Sequence, residues 1–237
     1  MHRWLKAPGW FKKPHPILKR NKHYFEEFDQ SKPLSEYTFI VCDTELTGLK
    51  KKRDEIISIG AVKIINLRLE LGETFHQYIC PRNLNHTDST LIHRITPEQL
   101  RQMPPIEDVL PEFIQYCGNG LLVGHYVNLD IAFLNRAALE VLGGTFSNPS
   151  VDTMRLAMGY KKAMFMESHG HTNLSTSYRL NDLTREFNLP EFKPHDALDD
   201  ALQTAYLFLF LVKKIKNGRI RTLKDLYQAG RNVGLVY

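Results

Sequence analysis

Three apolar, β-rich runs follow one another between Tyr37 and Pro81, and after them helical periods alternate with short apolar stretches. TFIVCD leads through ELTGLKKKRD into EIISIGAVKII, and ETFHQYIC stops at Pro81. Runs this close read as an antiparallel meander. Beyond them, Thr96 is an N-cap with Pro97 at the first helical position, opening TPEQLRQM as a helix. Pro105–Tyr116 and Leu129–Leu142 carry apolar residues at helical spacing, while GLLVGH and PSVDT are short strands between and after them. Helices follow from Thr153, over Arg179–Phe187, and from His195 to Lys216, the last with Leu198, Ala201, Leu202, Ala205, Leu209 and Val212 as its inward stripe. Strands first, then alternating helix and strand, predict an α/β fold with a mixed sheet.

Two segments resist this pattern. Pro8, Pro14, Pro16 and Pro33 interrupt the beginning, so little regular helix is expected before about residue 24. Residues 161–178 lack a clean period and read as an irregular surface insertion, in which His169 and His171 are surface residues. The expected organisation is a basic N-terminal arm over 1–36, a main domain over 37–216 and a C-terminal tail or helix over 217–237.

A chain of 237 residues, 43% of them apolar, buries a core without help from metals or disulfides. Cys42, Cys80 and Cys117 are odd in number and form no CxxC pair, which argues against structural zinc and fits a reducing cytoplasm. The most apolar stretch, Ala205–Val212, is too short to span a bilayer. Charge is uneven: Arg3, Lys6, Lys12, Lys13, Lys19, Arg20 and Lys22 precede the first acid, Glu26, and without these seven the 31 basic residues fall to 24 against 26 acidic ones. Two readings of the arm stay open. Its Trp4, Trp10, Phe11, Tyr24 and Phe25 stack on bases while its lysines meet phosphates, or the aromatics pack on the domain and the lysines are merely solvated.

The chemistry-bearing residues are carboxylates at element ends. Asp43 and Glu45 close the first strand two residues apart, so their side chains point the same way. Burying both costs several kcal/mol unless a cation sits between them, and hard oxygen donors suit Mg²⁺ or Mn²⁺. Thr47-Gly48 then makes a turn whose backbone N–H groups can approach a phosphate or sugar. Asp130 stands at the start of a helix just after a buried strand, and Asp200 lies about a turn and a half beyond His195, at the edge of the apolar stripe. Asp196 reads as first-turn charge and Asp199 as a solvated residue.

This ordered set resembles the DEDDh 3′→5′ exonuclease family, which includes the proofreading epsilon subunit of bacterial DNA polymerase III. The motif DxETTG is similar to Asp43-Thr44-Glu45-Leu46-Thr47-Gly48, and GHNxxFDxxFL to the eleven residues from Gly124 to Leu134. HxALxDA matches His195-Asp196-Ala197-Leu198-Asp199-Asp200-Ala201 at every fixed position, and Ile92–Thr96 resembles the family's VHGIT. The departures are Leu46 for Thr, Tyr126 for Asn and Leu129 for Phe. The resemblance covers roughly Tyr37–Val212 and implies a ribonuclease-H-like mixed five-stranded sheet flanked by helices.

It further implies that Asp43, Glu45, Asp130 and Asp200 hold two divalent cations, Mg²⁺ or Mn²⁺, and that His195 is the general base for an attacking water. His125 reads as structural. Substrate contacts are expected from Leu46, Thr47, Gly48 and Leu49 on one side and from Tyr126, Asn128 and Phe133 on the other, with Leu46 or Leu49 wedged against the last base. The expected partner is the 3′ end of single-stranded DNA, with a polymerase as a possible second partner and no membrane. Only about a helix and a tail follow Val212, which points to a free-standing enzyme or one recruited through the arm. An RNA-trimming enzyme like ribonuclease T or oligoribonuclease is the alternative, since no motif reports on the 2′-hydroxyl. A non-catalytic binding module ranks last, because all four carboxylates and the histidine are present.

Overall fold

The meander and the two short strands assemble into one sheet. The computed structural model describes residues 12–85, 88–167, 176–215 and 220–231. β1 (Phe39–Leu46), β2 (Ile56–Ile65) and β3 (Arg68–Tyr78) run antiparallel to their sequence neighbours. β4 (Leu121–Gly124) pairs parallel with β1, and β5 (Ser150–Asp152) parallel with β4. The order is β3-β2-β1-β4-β5, the mixed five-stranded sheet that was expected.

Alternation along β1 sends its side chains into two separate cores. Phe39 and Val41 face one, with Phe208 and Leu211 of α8 (Ala197–Lys214), Leu156 of α6 (Thr153–Glu167), Leu183 of α7 (Leu180–Glu186) and Leu226 of α9 (Leu223–Arg231). Ile40, Cys42 and Leu46 face the other, with Phe113 of α4 (Ile106–Cys117) and Phe133 and Leu134 of α5 (Asn128–Leu142). Every residue of β4 is buried, as a parallel strand covered on both faces requires. The pattern has a consequence for the site. Asp43 and Glu45 continue the face that meets α8, while Thr44 continues the face that meets α5.

Four expectations need correction. A helix, α1 (Pro16–Glu26), occupies the proline-rich beginning. Pro16 sits at its first position, where the missing N–H costs nothing, and the His15 ring accepts from Ile17 N at 3.3 Å. Residues 161–167 continue α6 in place of an irregular insertion, with Lys161 buried against Glu186 at 2.5 Å and beneath the ring of Tyr178. The TPEQLRQM helix shortens to α3 (Pro97–Leu100), opened by the capping box of Thr96 and Gln99. The inward stripe of α8 is Ala201, Thr204, Ala205, Phe208, Leu211 and Val212, whereas Leu198, Leu202 and Leu209 are only partly buried. Sheet lies on one side of α8 and α6 with α7 on another, so its buried face is wider than one stripe.

α1 seals one end of the molecule. Leu18 is in the second core, Asn21 bonds Asn148 Oδ1 at 2.7 Å, and His15 N donates to Leu142 O at the last residue of α5. Leu142 lies 12 residues beyond Asp130, about 18 Å along the helix axis. The residues from Lys12 to the start of α1 are therefore at the opposite end of α5 from the carboxylates. Residues 1–11 and 232–237 of the expected arm and tail, and His169 and His171, lie outside the described residues.

One residue sets how closely α8 approaches the sheet. Gly60 on β2 pairs in register with Asp43, and a Cβ there would overlap the backbone of Ala197 and Leu198. The bare backbone lets the first turn of α8 rest directly on the sheet beside Asp43. Gly60→Ala should therefore cost about 1–3 kcal/mol of stability by overpacking. Gly72→Ala, where a Cβ would meet nothing within 4 Å, should not lower it. Urea midpoints of the two variants check this, and equal midpoints would show that α8 can lift away freely.

Candidate active site

The four carboxylates arrive on three supports, β1, α5 and α8. Asp43 and Glu45 lie half-buried at the end of β1. Asp130, in the first turn of α5, is 5% exposed, and its Oδ1 accepts from Thr44 N at 3.1 Å and Thr44 Oγ1 at 2.6 Å. The residue between the two strand acids thus fixes the third acid from the opposite face. Asp200, in the first turn of α8, accepts from His195 N through Oδ2 at 2.9 Å. Asp196 is the N-cap of that helix, taking Leu198 N at 3.1 Å and Asp199 N at 3.3 Å.

Glu45, His195 and Asp200 offer ligand-type atoms that all lie within 4.8 Å of one another. Asp43 and Asp130 adjoin this trio without belonging to it. Asp199 is not part of this trio. His195 has a backbone φ of 63°, a left-handed conformation uncommon outside glycine. The Asp200 carboxylate, bonded to its N–H, helps to hold it there. Tyr126 is also left-handed, with φ 61°, and its N–H donates to Asp152 Oδ1 at 3.1 Å.

The electrostatics are those of acids short of a counter-charge. Burial pushes Asp43 far above the ordinary carboxylate range, and Asp130, Asp200, Glu45 and Asp196 add to it. Glu45 is raised to about 8, by burial first and then by Asp200, Asp196 and Asp130. Burial lifts Asp130 to about 6 against the pull of its Thr44 hydrogen bonds. Asp200 also rises to about 6, through burial, with the His195 N–H opposing. A divalent cation is the group that would relieve all four, and a purely oxygen donor set beside an imidazole fits Mg²⁺ or Mn²⁺.

The expected substrate contacts divide by exposure. Leu49 is 71% exposed and Tyr126 55%, Asn128 is exposed, and Thr47 and Gly48 are half-buried at the mouth. Leu46 and Phe133 are core residues at 7% and 1%, so neither offers a surface to a base. Leu46 faces α5 because it falls on the Thr44 side of β1, and Phe133 falls on the inward side of α5. His125 bonds Thr153 Oγ1 at 2.9 Å and Tyr178 O at 2.7 Å, holding the approach to α5 against α6 and residue 178.

Several neighbours were not foreseen. Beside His195 opens a cavity of about 420 Å³ lined by Tyr78, His93, Arg94, Met103 and Lys193 among others. His93 is buried, takes Ile95 N on Nδ1 at 3.0 Å, and leaves Nε2 without a partner among the described residues. Burial and the adjacent His195 hold its pKa down. Gln203, 1% exposed, binds Phe192 N at 3.1 Å and so fixes the loop that delivers His195. A polar residue on an otherwise apolar helix face was the signal available in the sequence.

Comparison with known proteins finds likeness over most of the chain. Residues 40–208 match the RNase T model, described as an exonuclease. A "DNA polymerase III PolC-type" of Thermotoga petrophila is 35% identical over 211 residues, 89% of this chain. The chain spans only 14% of that relative's length. The "DNA polymerase III subunit epsilon" of Aquifex aeolicus is 32% identical over 185 residues, 75% of this chain and 82% of that one. Among solved structures, E. coli exonuclease I in complex with a dT13 oligonucleotide superposes with a TM-score of 0.63 at 17% identity, covering 75% of this chain and 41% of that one. Exonuclease X in complex with 5′ overhanging duplex DNA gives 0.57 at 23%, covering 81% and 99%.

The raised carboxylates have a measurable sign. Unfolded, these acids ionise near their ordinary values of about 4. Folded without cation, Asp130 and Asp200 retain protons to about pH 6 and Glu45 to about pH 8. The folded state then binds more protons, so metal-free stability should fall as pH rises from about 4 to 8. Thermal melts in EDTA should show that fall, and Mn²⁺ should raise the melting temperature more at pH 8 than at pH 5. Melting temperatures independent of both pH and Mn²⁺ would contradict the clustered, cation-seeking arrangement.

Proposed function

The chain belongs to the exonuclease family that the RNase T model describes, and we propose that it is a metal-dependent enzyme removing nucleotides from the 3′ end of single-stranded DNA. The observation that carries this reading is the convergence of Glu45, Asp200 and His195 within 4.8 Å, with Asp43 and Asp130 alongside. DNA is favoured over RNA because the relatives named above are DNA polymerase III proteins. The same relatives point to a polymerase as the assembly partner.

Asp43, Glu45, Asp130 and Asp200 would hold two divalent cations. When bound, these would offset phosphate charge and stabilise the attacking and leaving oxygens. The rest falls to the chain's own groups. His195, exposed at the mouth and held by Asp200 through its N–H, accepts the proton of the attacking water. Thr44 keeps Asp130 turned toward β1 with two hydrogen bonds. Gly48 presents backbone to the terminal nucleotide from a turn that Thr47 closes by bonding Glu55 through its N–H and Oγ1, and Leu49 and Tyr126 offer exposed surface to its base. The cavity beside His195, with Tyr78 and Met103 in its wall, has room for one base or sugar of the departing end.

The test is a gel time course on 5′-labelled single-stranded DNA and the matching RNA with Mn²⁺ or Mg²⁺. A ladder shortening from the 3′ end, faster on DNA and abolished by EDTA, is expected. His195→Ala should lower kcat by about 10²- to 10⁴-fold. Asp200→Ala should abolish turnover, while Asp199→Ala keeps most of it. Equal loss in the two aspartate variants would overturn the ligand assignment, and faster cleavage of RNA would overturn the choice of substrate.

A further inference from the structure

The turn from β1 to β2 carries Lys50, Lys51, Lys52 and Arg53 in succession, all four exposed. Such a run is ordinarily a solvated stretch of loop. Here its backbone is held from several directions. Thr47 N donates to Glu55 O at 2.9 Å and Glu55 N to Thr47 Oγ1 at 2.9 Å, which closes the turn at its base. Lys50 N donates to Asp54 Oδ2 at 2.8 Å, and the N–H groups of Arg53 and Asp54 both reach Lys50 O at 2.9 Å. From α5, the Arg136 guanidinium donates to Lys51 O and Asp54 O.

Charge is not neutralised along with the backbone. Asp54 is 7% exposed, and of the four basic side chains it takes Arg53 alone, Nε to Oδ1 at 3.2 Å. Lys50, Lys51 and Lys52 make no ion pair among the described residues. Like charges on adjacent residues repel, and reversing the chain needs no positive charge at all. The location is also specific: Lys50 follows Glu45 by five residues, with exposed Leu49 directly before it. Lys12 and the start of α1, by contrast, lie at the far end of α5.

We propose that the turn Lys50–Arg53 is a preformed phosphate-binding lip. It grips the sugar–phosphate backbone of the substrate strand outside the carboxylate cluster and so makes affinity depend on strand length. This rests on the reading of the site as a nuclease. The turn supplies positive charge where the site's own carboxylates would repel a polyanion, and its tied backbone means that little order has to be imposed on binding.

The test compares the wild-type chain with a variant in which Lys50, Lys51, Lys52 and Arg53 are all Gln, and with a second that keeps Arg53 and its bond to Asp54. Fluorescein-labelled oligo-dT of 2 and 12 nucleotides is bound in EDTA across a salt series. The quadruple variant should lose about 10- to 100-fold in affinity for the 12-mer and much less for the dinucleotide. Its log Kd against log salt should be shallower by about 2–3, as expected when three or four phosphate contacts to a single strand are removed. The triple variant should fall between. An unchanged salt slope, or equal weakening for both lengths, would overturn the lip. Failure of the wild-type chain to cleave any strand with Mn²⁺ would sink the nuclease reading separately, leaving the salt slope to judge the turn.

Discussion

Mutual repulsion among buried carboxylates is the constraint around which this molecule is arranged. Asp43, Glu45, Asp130 and Asp200 come from three separate elements, and folding brings them together although burial raises every one of their pKa values. Two dense cores hold those elements in place despite the repulsion. Phe39 and Val41 lock β1 to α8 on one face, while Ile40 and Cys42 lock it to α4 and α5 on the other. The acids occupy the next positions of the same alternation, where apolar packing gives out and solvent begins. A site short of positive charge within a well-packed frame is poised to gain stability from any cation it can hold.

The frame also sets precision. Gly60 lets the first turn of α8 lie on the sheet, so that Asp200 and the His195 loop reach the strand acids. Gln203 fixes the segment before His195, and His125 ties the entry of α5 to Thr153 and residue 178. These are ordinary packing and hydrogen-bonding residues. Their effect is to hold charged groups at separations that small displacements would spoil, and misplacement by about 1 Å can cost on the order of a hundredfold in rate.

Much of this was legible in the residue order. The meander, the strands around Val123 and Val151, and the helices over 106–117 and 128–142 follow from periodicity, and the motifs put the acids at element ends. What escaped has identifiable causes. Pro16 reads as a helix breaker unless it is recognised as a first-turn residue, so α1 was missed. Lys161 looked like the start of an insertion because its burial depends on Glu186, 25 residues away. Leu46, which departs from its motif, and Phe133, which matches its own, both face the core, since a motif records spacing and not which face of an element is covered. Gly60 carries no local signal, because the contacts that define it come from a distant segment, whereas His93 lies in the Ile92–Thr96 segment, whose resemblance to VHGIT carries no role for it. Counting places the excess positive charge in the arm, whereas exposed lysines also stand on the turn five residues beyond Glu45 and at Lys193 in the wall of the cavity beside His195.

The central claim is that the carboxylate cluster is a divalent-cation site. Crystals grown with Mn²⁺ and a nucleoside 5′-monophosphate, measured at a wavelength where manganese scatters anomalously, test it most directly. The account predicts anomalous peaks bounded by Asp43, Glu45, Asp130 and Asp200, with the phosphate of the nucleotide against them and His195 alongside. Anomalous density elsewhere, or none at the cluster in a crystal whose nucleotide is bound, would contradict it.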